Sequence, residues 1–373
     1  MRRISWRRTT ALVLLALGSV ARPAAGAETR MYAFPMENPP EELHATSYGV
    51  AAERTTVSFT FAGDCTLGGE TSARGSRNSF ASRVKANGTA YPLAGLQELF
   101  ASDDCTVVNL EGVLSGSDEG RVDKQFNFLG DPSYTEILTD GSVECANLAN
   151  NHSLDYGRRG YEDTLEALRA ADIGYFDEDT LLVVEKDGVR VGLTATLFTL
   201  GGQKREKLAR QMELLRELGC AAVIHSMHAG REYAAVESAS QRSVARAAAE
   251  LGAALVVGHH PHVVQGAALT EGIPVFYSLG NCSFGGNADP RDYDAALLRA
   301  ELTFEDGALC SLDWTIWPIS QSGEKGRNNY QPALLGGKDA ERVMNKIQDA
   351  SDMALAAFQE GLGARQETVY YER

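Results

Sequence analysis

From Thr55 onward, short apolar runs alternate with longer stretches of helical period. The short runs are Thr56–Ala62, Thr106–Leu110, Val143–Leu148, Leu181–Val184, Arg190–Thr196, Ala221–Ile224, Ala254–Val257 and Pro274–Ser278. Their brevity and β-branched content predict strands. Between them, Gly160–Ala171 places Leu165 and Leu168 on one helical face, and Lys204–Leu218 does the same with Leu208, Met212, Leu215 and Leu218. Ser238–Leu251 is Ala-rich, with Val244 and Leu251 inward. Strand alternating with helix predicts an α/β domain. After Asp289, Ala295–Phe304 and Ala308–Ile316 flank a Glu305-Asp306-Gly307 turn, which predicts an antiparallel hairpin on the same sheet. The domain is expected over residues 55–320, with a polar loop and an Asp339–Leu362 helix packing on it from residues 321–373. Residues 28–54 are polar, carry three Pro and hold no sustained period, so a linker or irregular strap is expected there. No repeat at solenoid periods is present.

The N-terminus changes the picture of where this domain works. Arg2, Arg3, Arg7 and Arg8 precede an apolar run from Ala11 to Ala21, and Ala25-Gly26-Ala27 offers a small-x-small cleavage site. A signal peptide over residues 1–27, and hence an exported, extracytoplasmic protein, is expected; an uncleaved short anchor is the alternative. The apolar run is shorter than the roughly 20 helical residues that span a bilayer. Without that segment, which holds five Arg and no acid, 30 basic residues face 50 acidic ones, a balance of −20. Such a chain repels nucleic acid. A polyanionic substrate would need a site carrying its own positive charge, which a bound metal supplies. The six Cys match no small disulfide scaffold and form no CxxC pair.

Histidine placement carries the chemistry. Of seven His, six fall in Asn150-Asn151-His152, His225-Ser226-Met227-His228 and Gly258-His259-His260-Pro261-His262, each directly after an apolar strand. Two more strands end in Gly63-Asp64 and Asn109-Leu110-Glu111. Residues just past the carboxyl ends of strands line the functional crevice of α/β sheets. Singly, each piece has a plainer explanation: a turn for Gly63-Asp64, core packing for His225 and His259. Together they deliver carboxylates, an Asn pair and imidazoles to one edge, a donor set that suits Zn, Fe, Mn or Ni better than Ca or Mg. About six ligands favour two adjacent divalent metals, which activate water and clamp the attacking and leaving oxygens.

This series resembles the CapA/PgsA capsule-synthesis proteins. The resemblance rests on Gly63-Asp64, Asn109-Leu110-Glu111, Ala149-Asn150-Asn151-His152 with Asp155 and Gly157, His228-Ala229-Gly230 with Glu232-Tyr233, His260-Pro261-His262-Val263 with Gln265, and Tyr277-Ser278-Leu279-Gly280-Asn281. Lys124, Phe126, Phe128 and Pro132 also resemble that family's segment after the acidic motif. The match covers about residues 56–320 and implies the calcineurin-like metallophosphoesterase fold, a sandwich of two mixed β-sheets flanked by helices. It implies Asp64, Glu111, Asn151, His228, His260 and His262 as metal ligands and His152 as proton donor to the leaving group. Asp155 or Glu232 would orient an imidazole. Departures from ordinary calcineurin-like phosphatases are Cys65-Thr66 in place of an x-His after Asp64, and Glu111 where a bridging Asp is usual. Cys65 and Cys282 occupy positions apolar in the family and are expected to approach each other, as thiols or a disulfide.

The resemblance implies metal-dependent hydrolysis or transfer in the synthesis, release or anchoring of an anionic polymer, poly-γ-glutamate first, alongside membrane polymer-synthase subunits. A non-catalytic accessory subunit and a general exported metallophosphoesterase are the rival expectations.

Overall fold

A computed structural model describes residues 29–44 and 53–370. The expected leader lies outside them. In chain order the strands are β1 (Arg30–Pro35), β2 (Arg54–Thr66), β3 (Cys105–Leu110), β4 (Val113–Leu114), β5 (Leu129–Gly130), β6 (Cys145–Asn147), β7 (Gly174–Phe176), β8 (Thr180–Lys186) and β9 (Val189–Leu197). They continue as β10 (Cys220–His228), β11 (Leu255–His259), β12 (Ala267–Thr270), β13 (Ile273–Phe276), β14 (Asn281–Phe284), β15 (Asp294–Glu305), β16 (Ala308–Ser320), β17 (Ala333–Leu334) and β18 (Ala364–Tyr370).

These strands build two large mixed sheets flanked by helices, the sandwich that the resemblance implied. One sheet runs β1-β8-β9-β10-β11-β13-β12 and the other β17-β16-β15-β2-β3-β6-β7, with β14 on β2 and β18 on β16. Within the first, β9, β10, β11 and β13 are parallel; within the second, β2, β3, β6 and β7 are. Parallel strands present their carboxyl ends together, so five of the chemistry-bearing motifs reach one edge.

Alternation along β2 explains the layering. Val57, Phe59 and Phe61 enter the core between the sheets, against Leu182, Val191, Ile224 and Val257. Ala62 and Cys65 join the opposite cluster, under Phe80, Ile137 and Leu168 from the outer helices. Helices Gly202–Glu217 and Ala239–Glu250 cover the first sheet through Met212, Leu215 and Val244. Burying each large side chain of these layers contributes about 1.5–3 kcal/mol. A capping box between Ser238 and Gln241 starts the second of those helices where the sequence places it.

Two expectations are corrected. The strap of residues 28–54 contains β1, an edge strand paired antiparallel with β8. Met31 and Ala33 pack on the inter-sheet core while Tyr32 and Phe34 pack outside, and Pro35, lacking an N–H, ends the ladder. The terminal helix stops at Asp349 rather than running to Leu362. Ser351 Oγ bonds the Ile347 carbonyl at 2.6 Å and accepts from the Ala267 N–H at 2.8 Å. Gln348 bonds Met353 O and Leu355 N, so the chain turns back and adds β18 to β16.

Candidate metal centre

The site begins with two close backbone approaches. Gly63 passes the Gly280 carbonyl so tightly that a Cβ would lie 2.0 Å from its oxygen, and the Asp64 N–H donates to the same carbonyl at 2.9 Å. Only glycine fits, and Asp64 is thereby fixed between β3 and β14. Glu111 donates its N–H to Cys65 O at 2.9 Å, which aims its side chain back under Asp64. His260 and His262 both take positive φ, 98° and 59°, on either side of Pro261. Non-glycine residues hold that region at a cost of about 1–3 kcal/mol each, and such strain clusters at functional sites.

Asp64, Glu111 and His262 each offer a ligand atom within 4.8 Å of one another, all buried. His262 Nδ1 lies 3.2 Å from Asp64 Oδ2 and 2.9 Å from Asn281 Oδ1. His228 connects the remaining candidates: its Nε2 is 3.8 Å from Glu111 Oε1, 2.7 Å from Asn151 Oδ1 and 3.1 Å from His260 Nδ1. All six sequence-derived ligands therefore gather at one place.

His152 stands beside them, its Nε2 3.9 Å from Glu111 Oε1. Its Nδ1 is 2.7 Å from Asp155 Oδ2, and Phe128 stacks on the ring with centroids 4.2 Å apart. Lys124 pairs with Asp155 and donates to Asn151 O at 2.8 Å. Glu232, by contrast, is exposed and lines the cleft beside His260, without a hydrogen bond to an imidazole among the described residues. The turn that carries it has Gly230 at φ 118° and Tyr233 at 58°. Of the two acids, Asp155 is the one hydrogen-bonded to an imidazole.

His225 bonds Thr194 Oγ1 at 2.8 Å inside β10 and is core. His259 Nδ1 lies 3.9 Å from Asp64 Oδ1 with no hydrogen-bond partner. Asn109 has no role in the sequence reading, yet its Nδ2 donates to Asp64 Oδ1 at 2.7 Å and lies 3.1 Å from His228 Nδ1. A fully buried Asn near the end of a wholly buried strand is the signal that marks it. Cys65 and Cys282 sit on adjacent strands in one apolar cluster as free thiols.

With this geometry in place, the family model described as "Bacterial capsule synthesis protein PGA_cap" matches residues 58–285. The chain belongs to this family. The "Capsule biosynthesis protein CapA" of Bacillus anthracis is 28% identical over 269 residues, covering 65% of this chain and 64% of that protein. The "PGA biosynthesis protein CapA" of Bacillus subtilis (strain 168) is 28% identical over 228 residues, covering 56% and 60%. The chain thus spans less than two thirds of each relative's own length.

In this PGA_cap member the electrostatics call for a cation. Both Glu111 oxygens are buried and meet no hydrogen-bond donor among the described residues. Burial pushes Glu111 up to about 8, against the pull of His262. Burial opposes a charge on His262 as well, but Glu111 and Asp64 overcome it and raise it to about 10. Burial likewise disfavours an ionised Asp64, yet the His262 hydrogen bond and charge hold it below the usual carboxylate range. Burial lowers His228 and His152. Two carboxylates are thus balanced by protons placed where a metal would sit, and the donor set fits one. Beside the cluster opens a cleft of about 620 Å³, lined by His260, Phe126, Tyr233, Arg231 and Arg291 among others. The Arg291 guanidinium lies 5.1 Å from the Tyr233 ring centroid.

Proposed function

We propose that the protein is an exported, metal-dependent hydrolase or transferase of capsule synthesis. Its substrate would be an anionic cell-surface polymer, poly-γ-glutamate first. The approach of Asp64, Glu111 and His262 within 4.8 Å carries this reading, and the capsule-synthesis family supports the biological setting. These three residues, with Asn151, His228 and His260, would hold one or two divalent cations, Mn, Zn or Fe. Bound there, a cation supplies Lewis-acid chemistry at an ester, amide or phosphoester centre.

The chain's own residues do the rest. His152 would pass a proton from Nε2, the nitrogen facing Glu111, to the leaving group. Asp155 accepts from Nδ1 and so keeps Nε2 turned toward the centre, while Phe128 limits rotation of the ring. Arg231 and Arg291 outnumber Glu232 in the lining of the cleft, on a chain of formal net charge −15, which favours an anionic chain over a neutral one. Export by the N-terminal leader and contact with membrane polymer-synthase subunits belong to the same reading.

His152→Ala tests it. Turnover of γ-glutamyl polymer should fall by about 10²–10⁴-fold with the metal content unchanged. Capsule formation fully complemented by the variant would make the protein an accessory subunit. Phosphodiester turnover without polymer turnover would make it a general phosphoesterase.

A further inference from the structure

We propose that Cys105 and Cys145 form a disulfide during folding, stapling β3 to β6 behind the metal centre. Their Sγ atoms lie 2.9 Å apart. That is closer than two non-bonded sulfurs normally rest, and under an ångström from the roughly 2.05 Å of a covalent S–S bond. Both residues are fully buried in the inter-sheet core beside Phe59, Val107 and Phe176. In those surroundings the two thiols face each other and, at 3.3 Å from Cys145 Sγ, the Met31 thioether of β1. Cys65 and Cys282 belong to the opposite apolar cluster, and Cys310 instead donates to the Thr303 carbonyl at 3.2 Å.

The position gives the bond a purpose. β3 runs on from Cys105 to Glu111, and β6 runs on from Cys145 to Asn151 and His152. A covalent tie at the start of both strands fixes the relative height at which these groups are delivered. It also closes a stretch of 40 residues, which restricts the unfolded chain.

The chemistry is dithiol–disulfide exchange with a small-molecule disulfide such as oxidised glutathione. One cysteine thiolate attacks the glutathione disulfide, forming a mixed disulfide and expelling one glutathione thiolate, which takes up a proton. The second cysteine thiolate attacks the mixed disulfide and expels the other. Two protein thiols lose two electrons and two protons, and the glutathione disulfide gains both. Burial pushes the Cys105 thiol up, so exchange belongs to the open chain before β1 closes over the pair.

The full chain, reduced and unfolded, is refolded in a mixture of oxidised and reduced glutathione, then unfolded again in the presence of an alkylating agent and mapped without reduction. The expected map holds one cross-link between the Cys105 and Cys145 peptides, with Cys65, Cys220, Cys282 and Cys310 alkylated. Reduction should then lower Tm by about 5 °C, a shift absent from a C105A/C145A chain. Six alkylated cysteines, or a cross-link joining any other pair, overturn the assignment. The map uses the unaltered chain, so a double variant that fails to fold does not remove the test.

Discussion

The two ends of β3 carry carboxylates that meet opposite fates, half-buried at the start and fully buried at the finish. At its start, Asp104 accepts from the Ser58 N–H and hydroxyl, each at 2.8 Å, and from Lys186 at 2.9 Å. Nearby, Glu144 accepts from the Thr106 N–H at 2.8 Å. Roughly 20 Å away at the other end, Glu111 is wholly buried and accepts from no donor among the described residues. Donors that neighbouring strands provide turn the first group into ties between β2, β3 and β6. Their absence around Glu111 among the described residues, with imidazole nitrogens in their place, leaves a cluster that could hold a cation. Glu111 thus differs from Asp104 and Glu144 both in being wholly buried and in lacking a hydrogen-bond donor among the described residues.

The sharpest way to break that contrast is to remove one acid from each end. Asp64→Ala should lower metal affinity by more than about 100-fold, beyond what loss of a supporting partner does. Asp104→Ala should leave metal content intact and cost about 1–3 kcal/mol of stability through stranded partners. Elemental analysis and urea melts read both, and metal loss in Asp104→Ala would erase the distinction. A smaller effect is expected at Asn109, which touches Asp64 and His228 without being a ligand. Asn109→Ala should weaken metal binding by about 10–100-fold. Titration calorimetry with Mn or Zn showing unchanged affinity would reduce Asn109 to packing.

Much of this arrangement is legible from residue order because its signals are local. Apolar runs of four to seven residues announce β2, β3 and β10, and the His residues at and just past the ends of β10 and β11 announce the candidate site. What stays hidden depends on contacts distant in sequence. β1 is a six-residue stretch between polar segments, recognisable only through its partner β8. The end of the last helix follows from Ser351 meeting Ala267, 84 positions away. Glu232 sits near His228 in the motif series and lines the cleft without a hydrogen bond to an imidazole among the described residues, whereas Asp155 reaches His152 across one turn of chain. The thiol contact joins Cys105 to Cys145 diagonally across neighbouring strands, since Cys145 lies opposite Val107, a pairing that spacing does not specify.

The finest separation between the two ends comes from pH. Burial pushes Glu144 up to about 7 from its ordinary 4.5, against its hydrogen bond from Thr106. Folded protein therefore holds a proton on Glu144 that the unfolded chain has already released between about pH 4.5 and 7. Unfolding in that window releases a proton, so this group's contribution is complete below the lower value and is lost as pH rises through the upper one. Glu144→Gln keeps the shape and removes the titration, so its stability relative to the natural chain should improve steadily across that window. Asp103, likewise raised to about 7 by burial, is unaltered in both chains and cancels in the difference. Urea midpoints for the two metal-loaded proteins, compared from about pH 4 to 8, give the result, and parallel curves would show that Glu144 is as well solvated folded as unfolded.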